Sequence, residues 1–598
     1  MTSLTFYGGV NEIGGNKILL QTGDGSVLLD FGRRMGEYGQ FFSEFLQARS
    51  KNALRDMLRL GILPKIDGIY TPHLVDMTVL FENAQVSAKV PLDEALDYWK
   101  TTDVCPCNSE RPVVDCVFVS HAHFDHIQDV SFLDRSIPVY CTEKTRVLAK
   151  AMTDVSVSGV DDQYYKIAKK VAVKQKPVFF KTLCPGECAC SDEKEEELPV
   201  VEDPKTKFRF TYEIAPVYRT FNTASEGQIK GIEYRLIPVG HSVPGSCSVL
   251  LTLPDGMRVL YTGDVRFHGA DEVSIDDYVR SVGGSVDVLI TEGTRVGSDE
   301  VLTEEDVGKE IGADIGRSEG LVLINFGWKD LTRFNTVYRA TKENGRTLVI
   351  SPKIAYLLYE MYCNFPTEYA DPRTMDSLKV YLKREGDLLY SKADYDKYKM
   401  GYLHFHGRNI AQDDRNIVRV AERLGIGGKP DNPKNPLPLT CDEEPYDYKE
   451  LYALATHHLD NGVRAYQIRQ SLKQYVLMFS YWDANELFDL IPLDKAHKTR
   501  YICGSTEPFN EEMEIDETKM VNWLDFFGIA YDYEIKNEQK IFVRRHVSGH
   551  ASKMELKALI ERINPTKIIP IHTANPEIFE GMFEGKVVLP KYAQSIEI

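Results

Sequence analysis

Val114-Asp115-Cys116-Val117-Phe118-Val119-Ser120-His121-Ala122-His123-Phe124-Asp125-His126 is the stretch on which the reading of this chain turns. Its first six residues form a short apolar run rich in valine, which predicts a buried strand. The run stops at Ser120, and four potential metal ligands follow within the six residues 121–126. Imidazole and carboxylate suit a borderline cation such as Zn²⁺. His121 and His123 stand two apart and can address one ion from an extended loop. Asp125 and His126 fall on the next turn and can reach a second ion beside it. Ligands gathered where a strand ends are what an open catalytic site needs, whereas a surface cluster of histidines at a helix start needs no such placement.

Further candidates stand where other apolar runs stop. His241 follows Arg235-Leu236-Ile237-Pro238-Val239-Gly240, and Asp264 follows Val259-Leu260-Tyr261-Thr262-Gly263. A lone His or Asp at a strand end is ordinarily a turn residue; here their order and polarity complete a shell for two ions. Asp30, at the end of Val27-Leu28-Leu29, is expected to support that shell from behind. The runs Lys17–Leu20 and Ser26–Asp30 flank Gly23-Asp24-Gly25 and predict a hairpin. Strands are also expected at 233–238, 247–253, 258–262 and 286–290. After Gly293 the pattern changes: a strand at 320–325, a helix at 331–344 and a strand at 346–350 read as a βαβ unit. Strands at 475–479 and 499–503 continue it. Strands at 540–545 and 567–571 enclose a helix at 552–563. One domain therefore reads as interrupted by a second of α/β type.

Composition sets the outer limits. The 598 residues are 43 % hydrophobic and 27 % charged, typical of a globular chain of several domains. No run of about 18 consecutive apolar residues occurs, which excludes a helical membrane span. The first residues, Met1-Thr2-Ser3-Leu4-Thr5, lack the basic and apolar regions of a signal peptide, so a cytoplasmic location is expected. Eleven cysteines then read as reduced thiols. Cys105 and Cys107, with Cys184, Cys188 and Cys190, leave a structural zinc open, although their spacing is irregular. The formal charge of −18 argues against nucleic acid unless the acid lies away from a basic lining. The run Asp192–Glu197 fits a solvated acidic loop.

Together these residues resemble a family. Asp30, His121–His126, His241 and Asp264 resemble the ordered motifs of the metallo-β-lactamase fold. Glu292 in Thr291-Glu292-Gly293-Thr294 resembles the acidic first motif of the β-CASP nucleases, His550 in Ser548-Gly549-His550-Ala551 their second, and His572 in Ile571-His572-Thr573 their third. The wording at 8–16, 545–551 and 567–572 is most similar to ribonuclease J of archaeal type.

The resemblance implies an α/β fold: an αββα metallo-β-lactamase sandwich with an inserted α/β β-CASP domain. Residues 1–308 would form the first part of the sandwich, with insertions at about 35–110 and 155–230, residues 309–538 the β-CASP domain, and 539–598 the second part. It also implies a metal-dependent phosphodiesterase, a ribonuclease working 5′ to 3′ on single-stranded RNA, with endonucleolytic cuts as a further activity. Two Zn²⁺ ions are implied, with Mn²⁺ or Mg²⁺ as supporting ions: His121, His123 and His241 on one, Asp125, His126 and His572 on the other, Asp264 between. Asp125 would serve catalysis as well as binding. His550 would act as general acid or phosphate donor and Glu292 would orient it; a histidine capping the next helix is the plainer reading of His550. His546 and Ser548, with Ser505 and Thr506 in Gly504-Ser505-Thr506-Glu507-Pro508, would hold RNA phosphates.

Two features beyond the motifs favour a nucleic acid. Arg544, Arg545, His546, Lys553, Lys557, Arg562 and Lys567 crowd around the second motif. Phe326-Gly327-Trp328-Lys329-Asp330-Leu331-Thr332-Arg333, at a strand–helix junction, offers aromatic and basic groups for a base and a phosphate. Other RNA-decay proteins are expected partners and a membrane is not. The sequence stops 26 residues after His572, so the C-terminal domain of bacterial ribonuclease J is expected to be absent, leaving oligomeric state open. Three alternatives stand beside the ribonuclease: an RNA-binding or complex-forming β-CASP subunit with little catalysis, a DNA-directed nuclease, and a small-molecule metallohydrolase. Inactive members lose ligands, and this chain keeps the whole set.

Overall fold

The structure is a computed structural model that describes every residue except 1, 44–45, 50–51, 76–102, 157–162, 178–207, 270–272, 300, 385–391, 396, 401–402, 407–447 and 509. Cys184, Cys188, Cys190 and the acidic run at 192–197 lie outside the described residues. Cys105 and Cys107 are free thiols.

The strand expected over Val114–Val119 is Cys116–Phe118, paired in parallel with Ser26–Phe31 and Val139–Tyr140. These belong to a seven-stranded sheet in the spatial order Ser595–Glu597, Ser3–Gly8, Lys17–Gln21, Ser26–Phe31, Cys116–Phe118, Val139–Tyr140, Phe221–Asn222. The hairpin around Gly23-Asp24-Gly25 is present, with Gln21 opposite Ser26. A second sheet of six strands runs Lys567–Ile571, Val288–Glu292, Arg258–Tyr261, Cys247–Thr252, Ile232–Pro238, Glu226–Ile229.

Period-two alternation makes the layers. Leu4, Phe6, Ile18, Leu20, Val27, Leu29, Cys116 and Phe118 from the first sheet meet Leu236, Val249, Leu251, Val259, Tyr261, Ile290 and Ile569 from the second in one buried cluster. The opposite face of the first sheet, with Leu19, Leu28 and Val117, packs under the helices Ala53–Leu60 and Glu143–Val155. Leu250, Leu260, Leu289 and Ile568 on the second sheet pack under Ile275–Val282 and Lys553–Ile563. Burying each such side chain contributes roughly 1.5–3 kcal/mol. The result is a helix–sheet–sheet–helix sandwich of metallo-β-lactamase type.

Val288–Glu292 and Lys567–Ile571 are parallel neighbours in this second sheet, with Glu292 beside Ile571. Between them in the chain lies a third sheet, ordered Val463–Arg464, Leu378–Leu382, Thr347–Ile350, Tyr475–Met478, Val322–Asn325, Arg500–Cys503, Ala530–Tyr531, with every pair parallel. The expected βαβ unit is there: Val322–Asn325, the helix Leu331–Glu343, then Thr347–Ile350.

One stretch departs from expectation. Within 155–230, expected as an insertion with no strand assigned, Lys166–Pro177 pairs antiparallel with Phe208–Tyr218 in a two-stranded ribbon. Repeated lysines at 166, 169, 170, 174 and 176 interrupt the apolar alternation that marks a strand, so backbone pairing carries the ribbon. Among the described residues no helix is long and apolar enough to cross a membrane.

Candidate metal centre

The two central sheets end on the same side, and the expected ligands gather there. His121 and His123 follow Cys116–Phe118, Asp125 and His126 lie on the short helix Phe124–Ile127, and Asp264 follows Arg258–Tyr261. Asp30 and His572 both hold left-handed backbone, with φ of 55° and 51°. Such conformations are costly for non-glycine residues and persist where surroundings dictate them. Gly14, also left-handed with φ of 81°, passes so close that a Cβ there would lie 2.5 Å from Asp125 Oδ2.

Three groups of ligand-type atoms form, each within 4.8 Å of one another: His121, His123, His241 and Asp264; Asp125, His126, Asp264 and His572; and Asp264, Glu292, His550 and His572. In the first group His123 Nδ1 lies 3.1 Å from His121 Nε2 and 3.0 Å from His241 Nε2. Asp264 Oδ2 lies 3.6 Å from His121 Nε2 and 3.7 Å from His241 Nε2. Zinc–nitrogen bonds of 2.0–2.1 Å put tetrahedral edges at about 3.3–3.4 Å. The spacing suits one such ion. In the second group His126 Nε2 is 3.2 Å from Asp264 Oδ2, and His572 Nε2 is 3.2 Å from Asp125 Oδ2.

The opposite ring nitrogens decide what these atoms can do. His126 Nδ1 donates to Asp30 at 2.7 Å and His572 Nδ1 to Thr294 Oγ1 at 2.8 Å, while His241 Nδ1 donates to the Gly549 carbonyl. Each ring is thereby left with an Nε2 lone pair on the cluster side. Buried His126 Nε2 and Asp264 Oδ1 have no hydrogen-bond partner among the described residues. Lone pairs set against carboxylate oxygens repel unless a cation lies between them.

The electrostatics agree. Burial, with repulsion from neighbouring rings, holds His121 and His123 well below the usual imidazole range, and burial takes His241 down to about 4. These three are neutral, as ligands must be. Burial opposes it, but Asp264, Asp125 and Asp30 hold His126 well above the usual range. Positive charge is demanded there, and a divalent cation meets that demand while the ring stays neutral. The residues present fit a zinc centre.

His550 is set apart from the two ligand groups. Its Nδ1 lies 3.0 Å from Glu292 Oε2, and 3.8 Å from Asp264 Oδ2. Glu292 is fully buried and also accepts from the Val265 and Thr294 amides. Its oxygens are occupied, which suits a positioning role better than ligation. Against the cost of burial, Glu292 and Asp264 push His550 up to about 9. The helix Lys553–Ile563 is capped by Ser552, in a capping box with Glu555, so His550 is not its cap.

Several supports carried no sequence signal. Tyr261 donates to Asp30 Oδ2, and Ser120 binds both Asp30 oxygens at 2.7 Å. Beneath the helix of Asp125 and His126, Asp129 is held by Lys17 at 3.0 Å and Arg33 at 2.7 Å, all three buried. His268 bridges Glu555 and the Ser548 carbonyl. Ser120 differs from the rest only in standing next to the histidine run.

Several of the basic residues around the second motif are paired. Arg544 pairs with Glu517, Arg545 with Asp314, Asp532 and Glu310, and Arg562 with Asp276. Lys557 faces Glu561, and Lys567 donates to the Glu597 carbonyl. The partners Asp314 and Asp276 come from distant segments of the chain. His546 is neutral, its pKa taken down to about 3 by burial and Arg333. Ser548 Oγ accepts from the His550 amide. Ser505 Oγ accepts from Asn325, and Thr506 donates to Glu507 while its carbonyl takes Arg544. Trp328 packs against the core under Lys353, 3.9 Å from its ring centroid.

Comparison with known proteins places this geometry. Residues 538–577, which contain Ser548, His550 and His572, match the family model described as the Zn-dependent metallo-hydrolase RNA specificity domain. A probable RNase MJ4 of Methanocaldococcus jannaschii is 28 % identical over 216 residues, 35 % of this chain and 40 % of that protein. Ribonuclease J of Mycoplasma genitalium is 23 % identical over 360 residues, 59 % of this chain and 48 % of that protein. The chain thus matches less than half the length of these relatives. A crystal structure of a protein of unknown function from Enterococcus faecalis V583 shares the fold over the whole chain, with a TM-score of 0.57 at 18 % identity. The ligand groups agree with the zinc-dependent metallo-hydrolase description of the family model that matches 538–577.

Proposed function

We propose that this chain is a ribonuclease of the ribonuclease J and β-CASP type, working with two zinc ions and shortening single-stranded RNA from its 5′ end. The observation that carries the reading is the His550–Glu292 pair standing beside two ligand groups that share Asp264. The match of 538–577 to an RNA specificity domain supplies the substrate class. We divide the chain as a sandwich of 1–308 and 539–598 interrupted by a β-CASP domain at 309–538.

In this reading His121, His123 and His241 would hold one ion and Asp125, His126 and His572 the other, with Asp264 available to both. Zinc, when bound, supplies Lewis acidity toward a phosphoryl oxygen and lowers the pKa of a water toward neutrality. The chain's own groups do the rest. Asp30, Thr294 and the Gly549 carbonyl fix three ligand rings in one tautomer. Glu292 keeps His550 protonated at neutral pH. With Nδ1 bound to Glu292, Nε2 carries the proton offered to a phosphoryl or leaving oxygen. Ser548 and Ser505 would offer hydroxyl groups to phosphate oxygens; the Thr506 hydroxyl and the single N–H of neutral His546 would first have to leave the Glu507 and Gly504 carbonyls.

A time course on 5′-labelled RNA and DNA of matched sequence, with zinc analysis of the same preparation, tests the reading. About two zinc equivalents and degradation of RNA are expected. Full activity in metal-free protein, or cleavage of DNA with RNA spared, overturns it.

A further inference from the structure

The segment Phe326–Arg333 leaves the inserted sheet after Val322–Asn325 and carries two cations, which the fold treats differently. Arg333 is neutralised: its Nε lies 2.7 Å from Glu304 Oε1, in a pair almost wholly buried. Lys329 is also buried, at 8 % exposure, but its Nζ donates at 2.8 Å to the carbonyl of Ala122, the residue between His121 and His123. It lies 4.1 Å from the Phe124 ring centroid. Among the described residues Lys329 has no carboxylate within ion-pair distance and no second hydrogen-bond acceptor.

An ammonium has three N–H donors, so two of them remain unused here. Burying an unpaired cation is costly: burial takes the Lys329 pKa down to about 7, and a ring face offsets only part of that cost, so an arriving anion would favour the charged form. Cations held by the adjacent ligands would deepen the imbalance. An anion arriving on the same side would relieve it, and a nucleic-acid strand brings one at every phosphate.

We propose that Lys329 binds a backbone phosphate of single-stranded RNA lying across the metal ligands, as a substrate-binding residue contributed by the inserted domain. The inference rests on the ribonuclease reading above. Lys329 keeps its bond to Ala122 and gives its other two donors to phosphate oxygens. Substrate thereby fastens the inserted domain to the loop of His121 and His123, while Arg333 holds the segment in shape.

The test uses zinc-loaded, full-length protein and a phosphorothioate-linked single-stranded RNA that resists cleavage. Kd is measured against salt for wild type, Lys329→Gln and Lys329→Arg, with zinc content read in parallel. Loss of one charge-assisted contact should weaken the Gln variant about tenfold or more. It should also flatten the slope of log Kd against log salt by about 0.7. The Arg variant should keep most of both, and all three proteins should hold equal zinc. Equal affinity and slope in wild type and Lys329→Gln overturn this inference alone. Zinc lost together with RNA binding in the Gln variant also overturns it, making Lys329 a support of the ligand loop. A wild type that binds no RNA overturns the ribonuclease reading and this inference with it.

Discussion

His241 gives its Nδ1 proton to the carbonyl oxygen of Gly549, a residue 308 positions later in the chain. That bond fixes the ring with its Nε2 toward the cluster, and it ties a metal ligand to the loop that carries His550. His241 and His550, the proposed ligand and the proposed proton donor, are therefore held as one piece. A Cβ at Gly549 would lie 2.7 Å from His241 Cε1 and 3.0 Å from Nδ1. Gly549→Ala is expected to turn the ring and weaken zinc binding about 10–100-fold. Competition against a chelator measures this, with circular dichroism to check the fold. Wild-type affinity in the variant would mean that the contact does not orient the ligand.

Removing His550 is expected to separate chemistry from metal binding. His550→Ala should lower kcat by about 10²–10⁴-fold, the range for a general acid. Zinc content should stay at the wild-type level, because the ring is engaged by Glu292. Stoichiometric loss of zinc would instead assign His550 to a ligand set.

Arg333 and Glu304 form a buried pair with side chains 1 % and 3 % exposed. Arg333→Met leaves a carboxylate buried without its partner and should cost about 3–5 kcal/mol. Replacing Glu304 by Gln in the same chain should recover part of that cost. Burial works against it, but Arg333 holds the Glu304 pKa below its ordinary 4.5. The stability this pair contributes is therefore present above pH 4.5 and lost as pH falls through the lower folded value. Denaturant unfolding from pH 7 downward should show that acid-side loss in wild type. In Arg333→Met the orphaned carboxyl should titrate higher, and that acid-side loss should disappear.

If the hydroxyls of Ser548, Ser505 and Thr506 grip a terminal phosphate, the 5′ end controls the rate. Monophosphate RNA is expected to be shortened fastest and triphosphate RNA more slowly, because of added bulk and charge. A hydroxyl end lacks the charge-assisted bonds that set register. Substrate labelled at its 5′ end should yield labelled mononucleotide early. A ladder of long labelled products would place degradation at the 3′ end.

The layered fold was legible in the apolar runs because each strand shows its own alternation, and ligands at run ends need only a strand that stops. Limits moved by a few residues, as when Val114–Val119 became Cys116–Phe118. The Lys166–Pro177 ribbon was not legible, since its lysines hide the alternation and only pairing with Phe208–Tyr218 makes it a strand.

By itself the sequence determined the residue types of the centre, their chain order and the α/β interruption between Glu292 and His550. Tertiary structure alone brought those residues together, since Asp264 falls within both ligand groups only where two sheets end together. It decided how the cations are placed as well: Arg545 pairs with Asp314 and Asp532, while Lys329, without a carboxylate partner among the described residues, stands beside the ligand loop. The reason is physical. Alternation is written over a few consecutive residues, whereas pairing, burial and tautomer depend on groups hundreds of residues away.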